Sequence, residues 1–179
     1  IHFQHAGVLV LKKPVLQLED LELLTGIFPT RIEGNKVRYE FNRPEALEHS
    51  LVYVLEFESQ KLAVIDYPDI FYNAIESSFA FDSLALFGTA EIPQNGQWNV
   101  SNKGKEIAAI PTREVIIDVL GPPTSITNFL TAELYHYHYT HPSINGDQVI
   151  QLTLSFHKAS KRMQSIDLAL PDRNWSIQL

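Results

Sequence analysis

The sequence predicts an α+β fold built from two repeated units. In each unit a helix precedes an antiparallel three-stranded meander and packs on one face of that sheet. Three observations lead to this prediction. Short runs of alternating apolar and polar residues, typical of half-buried strands, occur in both halves of the 179-residue chain. A run with helical spacing, closed by glycine, precedes each set of strands. The two halves also share the order of these elements.

The first half opens with a β-rich run and continues into a helix. Residues 6–11 predict an opening strand, because a run of Val and Leu is closed there by Pro14. Leucines at spacings of two and three over residues 16–24 predict a short helix, with Gly26 as its C-terminal cap. Three strands are predicted to follow, over residues 35–41, 51–57 and 62–67.

The second half repeats this order after a connecting helix, which apolar residues at helical spacing predict over residues 69–80. Thr112 predicts the N-cap of a helix over residues 112–120, and the following Gly-Pro-Pro stops it. The strands of this unit are predicted over residues 134–139 and 150–156, with a third ending at Leu170.

Two further segments of the second half, a turn and the C-terminal tail, are predicted from one or two residues each. His141 to Asp147 reads as a turn, because Asn145-Gly146 is a strong hairpin signal. Trp175 is predicted to anchor the C-terminal tail to the sheet, with a binding hot spot as the alternative.

Matches between the halves extend beyond the apolar pattern. Pro29-Thr30-Arg-Ile32 corresponds to Pro123-Thr124-Ser-Ile126, and Ile65-Asp66 corresponds to Ile166-Asp167. Such self-similarity indicates an internal duplication. The alternative is that any two helix-plus-meander segments align loosely. The predicted domains are residues 1–68, the first unit with its N-terminal strand, and residues 69–179, the connecting helix and the second unit. The two could pack as one domain.

Part of the second unit resembles a known family. Ile110-Pro-Thr-Arg-Glu-Val115 and Val119-Leu-Gly-Pro122, followed by an aromatic strand and an apolar strand ending in Phe156, resemble the SmpA/OmlA (BamE-like) outer-membrane assembly lipoproteins. In that family a Thr-x-x-x-Val helix ends in Leu-Gly-x-Pro. The tandem arrangement resembles the β-lactamase inhibitor proteins. The resemblance implies a non-catalytic binding role in a bacterial envelope, in the periplasm or at the outer membrane, with a cytoplasmic location as the alternative.

Composition and motifs exclude several classes of function. A net charge of −7 without a concentrated basic patch argues against nucleic-acid binding. The chain has no cysteine, so disulfides, cysteine nucleophiles and thiolate metal sites are excluded. No glycine-rich nucleotide motif, serine-nucleophile motif or apolar run of membrane-spanning length occurs. We therefore expect no enzyme activity, no cofactor and no integral membrane segment. Because the chain begins at Ile1, we expect an upstream segment, which could carry a lipid anchor.

The string Tyr135-His-Tyr-His-Tyr139 is the strongest candidate for metal chemistry. On a strand, His136 and His138 share a face, and two imidazoles at this spacing can ligate zinc. If Tyr137 pairs with Leu152 across the turn, Gln151 and Thr153 stand opposite the two histidines, and neither is a carboxylate. The sequence therefore favours solvent-facing histidines over a metal or catalytic site.

The favoured function is protein binding through the open sheet faces and hairpin loops. Alternation leaves the polar residues of one strand face free of core packing, while the strands hold them rigidly. Since histidine changes charge between about pH 5 and 8, binding is expected to vary in that range. Two alternatives remain: a small-ligand-binding protein with an aromatic-lined pocket, and a histidine-based metal hydrolase. The predicted partner-binding residues are Lys36, Arg38, Glu40, Glu56, His136, His138, Gln151 and Thr153.

The opposite strand faces are predicted to form the core. Apolar and aromatic residues recur there at every second position, which is the spacing of side chains on one face of a sheet. The residues expected to be mostly buried are Val37, Tyr39, Phe41, Leu55, Phe57, Tyr135, Tyr137, Leu152, Leu154 and Phe156.

Overall fold

The chain divides into two compact units. A computed structural model describes residues 2–4, 8–11, 14–76, 78–79, 82, 97–101, 107, 109–143 and 145–179. The first unit comprises Ile1–Asn73 together with Tyr139–Val149, and the second comprises Ala74–His138 together with Ile150–Leu179. The first unit is thus discontinuous in sequence, whereas residues 1–68 were predicted for it from the sequence.

The first unit contains a six-stranded antiparallel sheet. Its strands in spatial order are β1, β2, β6, β5, β4 and β3. The strands β4, β5 and β6 form a meander, and β2 and β3 flank it on its two sides. The bounds are β1 His2–Gln4, β2 Val8–Val10, β3 Arg31–Glu33, β4 Lys36–Phe41, β5 Leu51–Glu58 and β6 Lys61–Asp66.

The second unit contains a six-stranded mixed sheet. The spatial order is β7, β12, β11, β10, β9 and β8. The β7 strand runs parallel to β12, while the pairs β8–β9, β10–β11 and β11–β12 are antiparallel. The bounds are β7 Gln97–Ser101, β8 Ser125–Asn128, β9 Ala132–His141, β10 Gln148–His157, β11 Met163–Leu170 and β12 Arg173–Gln178. Residues 139–149, at the β9–β10 turn, belong to the first unit.

Three short α-helices accompany the sheets, α1 Leu18–Thr25, α2 Asp69–Ala74 and α3 Arg113–Leu120, and the described residues 78, 79 and 82 are helical as well. Gly26 ends α1 with a φ of 68°, a left-handed conformation that favours glycine. The predicted helix over residues 69–80 is observed as α2 in its first part, and residues 77 and 80 lie outside the described residues. None of the described helices is long and apolar enough to cross a bilayer.

The predicted fold class is wrong. The protein is mostly β, and each sheet has six strands where a three-stranded meander was predicted. Two segments to which no strand was assigned are the strands β3 and β8, and the predicted tail is the strand β12. No residue of α1 is buried. The interpretation of the chain as two copies of one helix-plus-three-strand unit is therefore wrong as well.

The core follows the alternation of the long strands. Eight of the ten predicted core residues are buried, and the other two, Phe41 and Leu152, are half-buried. In the second unit α3 lies on this apolar side: Ile116, Val119 and Leu120 are buried, and the Tyr137 hydroxyl donates a hydrogen bond to the Gly121 carbonyl at 3.3 Å. One face of the second sheet is thus packed in the core.

A buried histidine joins two segments of the first unit. His141 was predicted to begin a turn, but it ends β9 and is fully buried. Its Nδ1 lies 2.8 Å from the Glu40 carbonyl oxygen and its Nε2 lies 2.6 Å from the Phe28 carbonyl oxygen. A backbone bridge between Asn42 and Thr140 adjoins it. Most of the predicted turn follows His141, with Gly146 at a φ of 104°, and residue 144 lies outside the described residues.

Ion pairs hold the start of α3 in the second unit. Glu114 pairs with Arg113 at 3.1 Å and with Lys161 at 3.2 Å, and Arg113 also pairs with Glu133 at 2.7 Å. The backbone amide of Glu114 donates a hydrogen bond to its own carboxylate. This bond, with further ones from Arg113, Lys161 and Thr112, lowers the pKa of Glu114 to about 2. The negative charge also suits the N-terminal end of the helix dipole.

The low pKa of Glu114 predicts an acid-dependent contribution to stability. A carboxyl whose pKa is lower in the folded than in the unfolded chain stabilises the fold above its unfolded value, here 4.5. That contribution is lost as the pH falls from there through about 2. The variant Glu114→Gln should therefore be less stable than the wild type at neutral pH, and the difference should shrink in acid. Urea unfolding at several pH values measures it, and a difference independent of pH would contradict the prediction.

Candidate binding surface

The eight predicted binding residues lie on two different sheets. Lys36, Arg38 and Glu40 are on β4 and Glu56 is on β5, all in the first unit. The remaining four lie on β9 and β10 in the second unit: His136, His138, Gln151 and Thr153. The prediction therefore corresponds to two surfaces, one on each sheet.

The residues on the first sheet neutralise one another in ion pairs. The ammonium group of Lys36 lies 2.7 Å from a carboxylate oxygen of Glu56, and this hydrogen bond raises the pKa of Lys36. Arg38 and Glu40 form a second pair at 2.5 Å. Exposed pairs of this kind contribute only about 0–1 kcal/mol to stability. Because of these two ion pairs, each charge among the predicted residues of this surface already has an opposite charge beside it.

Asp66 belongs to the same side of the first sheet. It stands opposite Val54 in the pairing of β5 with β6, and Val54 alternates with buried Leu55. Partial burial raises the pKa of Asp66, and the nearby carboxylates of Asp69 and Glu56 raise it further. On this surface apolar Val54 thus lies between the charged residues Arg38 and Asp66.

The open side of the second sheet is polar across its described strands. The register places Thr153 opposite Asp167 and Asp167 opposite Ser176, so small polar residues follow one another from β10 to β12. We call this surface the polar face. Its described members are Ser125, Thr127, Leu134, His136, His138, Gln151, Thr153, Ser155, Ser165, Asp167, Ala169, Asn174, Ser176 and Gln178.

Both ring nitrogens of His136 are engaged by threonine hydroxyls. Nε2 lies 2.9 Å from Oγ1 of Thr127, and Nδ1 lies 3.1 Å from Oγ1 of Thr153. The second contact agrees with the predicted position of Thr153 opposite His136. A metal would need a nitrogen lone pair and would displace one hydroxyl. Within the described part of the chain, no three His, Asp or Glu side chains cluster in a way that could hold a metal ion.

Asp167 is held by two serines at the centre of β11. Oγ of Ser176 donates a hydrogen bond to one carboxylate oxygen at 2.6 Å, and Oγ of Ser165 donates to the other at 3.1 Å. A depression of about 370 Å³ adjoins this carboxylate. It is lined by Gln151, Thr153, Asp167, Leu168, Ala169, Asn174, Trp175 and Ser176.

Sequence reasoning missed part of the polar face. Thr127, Asp167 and Ser176 were not predicted, although they contact or adjoin predicted residues. A signal was present: in Asn174-Trp-Ser-Ile-Gln178 polar residues alternate with Trp175 and Ile177, as in a half-buried strand. The predicted tail is in fact β12, in which half-buried Trp175 pairs with Leu168.

Neither protein-family models, curated proteins nor solved structures match this chain. The resemblance to the BamE-like lipoproteins and the β-lactamase inhibitor proteins is therefore neither supported nor refuted, and it stays a prediction.

Proposed function

We propose that this protein is a non-catalytic binding module that recognises a protein partner through the polar face of the second sheet. The observation that carries the proposal is the row of hydrogen bonds across that face. Thr127, His136 and Thr153 form one linked set, and Asp167 with its two serines forms the next. Side chains that are already held in place lose little conformational freedom when a partner binds.

The polar face is a better candidate than the charged surface of the first sheet. On the first sheet, the predicted residues already satisfy one another: Lys36 with Glu56 and Arg38 with Glu40. Those ion pairs use the charges by which a partner would be recognised, whereas the hydrogen bonds of Asp167 on the polar face leave acceptor positions of its carboxylate open. On the polar face, exposed His138, Gln151 and Asn174 present donors and acceptors to solvent.

The two alternative functions receive less support from this geometry. A ligand pocket lined by aromatic residues would need the tyrosines of β9, but Tyr135, Tyr137 and Tyr139 are all buried. Of the eight residues that line the depression on the polar face, five are polar and one, Trp175, is aromatic. A hydrolase or metal site built on His136 would need a free ring nitrogen, and both are engaged by threonines.

Selection of short random peptides displayed on phage, with the intact protein as the target, tests the proposal. Gln151 is exposed near the middle of the polar face, so Gln151→Lys should disturb an interface there without disturbing the core. We expect this variant to bind the selected peptides at least about tenfold more weakly, which is the loss typical of a central interface residue. Affinity is measured by calorimetry or by surface plasmon resonance.

The matched control is Arg38→Glu on the first sheet, which is expected to change affinity less than about twofold. The opposite pattern, with loss only in Arg38→Glu, would assign binding to the charged surface and refute the proposal. A metal found by elemental analysis in the wild type and absent from His136→Ala would instead favour the metal hydrolase. Placement in a bacterial envelope rests on the resemblance alone, and cell fractionation of the producing organism tests it.

A further inference from the structure

Resting on the proposed function, we infer that Asp167 is the anchor of the polar face and that it receives the guanidinium group of an arginine from the partner protein. The inference follows from the charge of the face, from the way in which Asp167 is held, and from the depression beside it.

The charge of the polar face points to a cationic occupant. Among its described members Asp167 is the one carboxylate, and none is a lysine or an arginine. A cation that approaches Asp167 therefore meets no ammonium or guanidinium group on this face. The whole chain carries a net charge of −7, which also favours approach of a cation.

The serines hold Asp167 in a geometry that leaves acceptor positions open. A carboxylate offers about four acceptor positions, two on each oxygen. Ser176 uses one on the first oxygen, and Ser165 uses one on the second. Each oxygen thus keeps one further position, and a guanidinium group can donate two parallel N–H bonds to two such oxygens. A fixed carboxylate loses less side-chain entropy on binding than a mobile one.

The depression supplies the remaining contacts. Gln151 and Asn174 line it on the strands β10 and β12, on either side of β11, and their amide oxygens can accept further N–H bonds from the same guanidinium. Its volume of about 370 Å³ lies at the lower end of the range of ligand sites and leaves room for a guanidinium group and its side chain.

The residue types of the polar face also favour an anchor that the partner supplies. Interface hot spots are most often Trp, Tyr or Arg. No tyrosine or arginine is among the described members of the polar face, and Trp175, which lines the depression, is half-buried. Arginine is favoured over lysine because its planar group matches a carboxylate with two hydrogen bonds, whereas an ammonium group acts as a single point charge.

Titration of the whole protein with Nα-acetyl-arginine amide, followed by NMR, tests the inference. We expect saturable shifts of the backbone amide signals of Asp167, Asn174 and Ser176. The isosteric but uncharged Nα-acetyl-citrulline amide should give no saturable shift. Maltotriose serves as a neutral polyol probe, and a saturable response to it without a response to the arginine compound would overturn the inference.

Two variants and a control separate this inference from the proposed function. Asp167→Asn should weaken binding of the arginine compound at least about tenfold. Gln151→Lys places a competing cation at the rim of the depression without removing a contact of Asp167. It should weaken binding of the arginine compound equally, and it replaces Asp167→Asn as the test if that variant proves unstable. Glu58→Gln, in the other unit, should leave binding of the arginine compound unchanged.

If phage-selected peptides still bind the polar face but bind Asp167→Asn as tightly as the wild type, this inference fails alone. If Gln151→Lys leaves their affinity unchanged, the proposed function fails as well.

Discussion

Truncation of Phe156 to alanine should lower the free energy of unfolding by about 3–5 kcal/mol, which is the usual range for a buried phenylalanine. Phe156 lies in β10 and is 0% exposed. Its ring packs against that of Tyr135, with centroids 5.1 Å apart and planes inclined by 60°. The loss combines the apolar area that is no longer buried with the cavity left behind, because neighbouring side chains collapse only in part.

Phe129→Ala is the matched control, since the same substitution is made there in the same unit at a side chain that is 54% exposed. We expect it to change stability by less than about 0.5 kcal/mol, as is usual for surface positions. Denaturant unfolding of both variants gives the two values. A loss below about 1 kcal/mol at Phe156 would show that this strand face does not form the core as described.

The long strands could be predicted because each has one buried and one open face. In β4, Val37 and Tyr39 are buried while Lys36 and Arg38 are exposed, so the pattern of burial repeats the pattern of polarity. The same holds for β9, where Tyr135 and Tyr137 are buried. Period-2 alternation is a direct consequence of strand geometry, and it identifies a strand whenever one side packs in a core.

The short edge strands could not be predicted in this way. All four residues of β8 and all three of β3 are exposed, so neither strand has a buried face to produce alternation. Ile32 and Ile126 are exposed apolar residues there, which resemble loop residues in a sequence. The parallel pairing of β7 with β12 joins residues far apart in the chain, and no local pattern encodes it. These missing strands are what made the predicted sheets too narrow.

The proposed binding surface could be predicted only where the pairing of its strands could be predicted. The Asn-Gly turn predicted the pairing of β9 with β10 and so placed Thr153 opposite His136, which agrees with the 3.1 Å contact between their side chains. Asp167 and Ser176 lie one and two strands further away. Their neighbours depend on the register of β10, β11 and β12, which includes a shift at Ser155 and Phe156 that the sequence pattern does not reveal.

The second large effect on stability is expected at His141, the histidine at the start of the predicted turn. Replacement of His141 by phenylalanine should lower the free energy of unfolding by about 2–4 kcal/mol, because a buried acceptor left without a donor costs about 1–3 kcal/mol. The imidazole faces the carbonyl oxygens of Glu40 and Phe28, and oxygens of this kind only accept hydrogen bonds. A neutral ring donates to one of them and a doubly protonated ring donates to both, whereas a phenyl ring donates to neither.

Replacement by phenylalanine separates the loss of hydrogen bonds from a loss of packing. It has nearly the shape of imidazole, so it can keep the ring contacts with Phe41 and Tyr39, whose centroids lie 5.4 Å and 6.2 Å from that of His141. His138→Phe, the same replacement at an exposed site of the same strand, should change stability by less than about 0.5 kcal/mol. Thermal and denaturant unfolding compare the two variants. If they are equally stable, the carbonyl contacts of His141 contribute nothing, and the bridge between Asn42 and Thr140 would have to hold this part of β9 to the rest of the first unit without it.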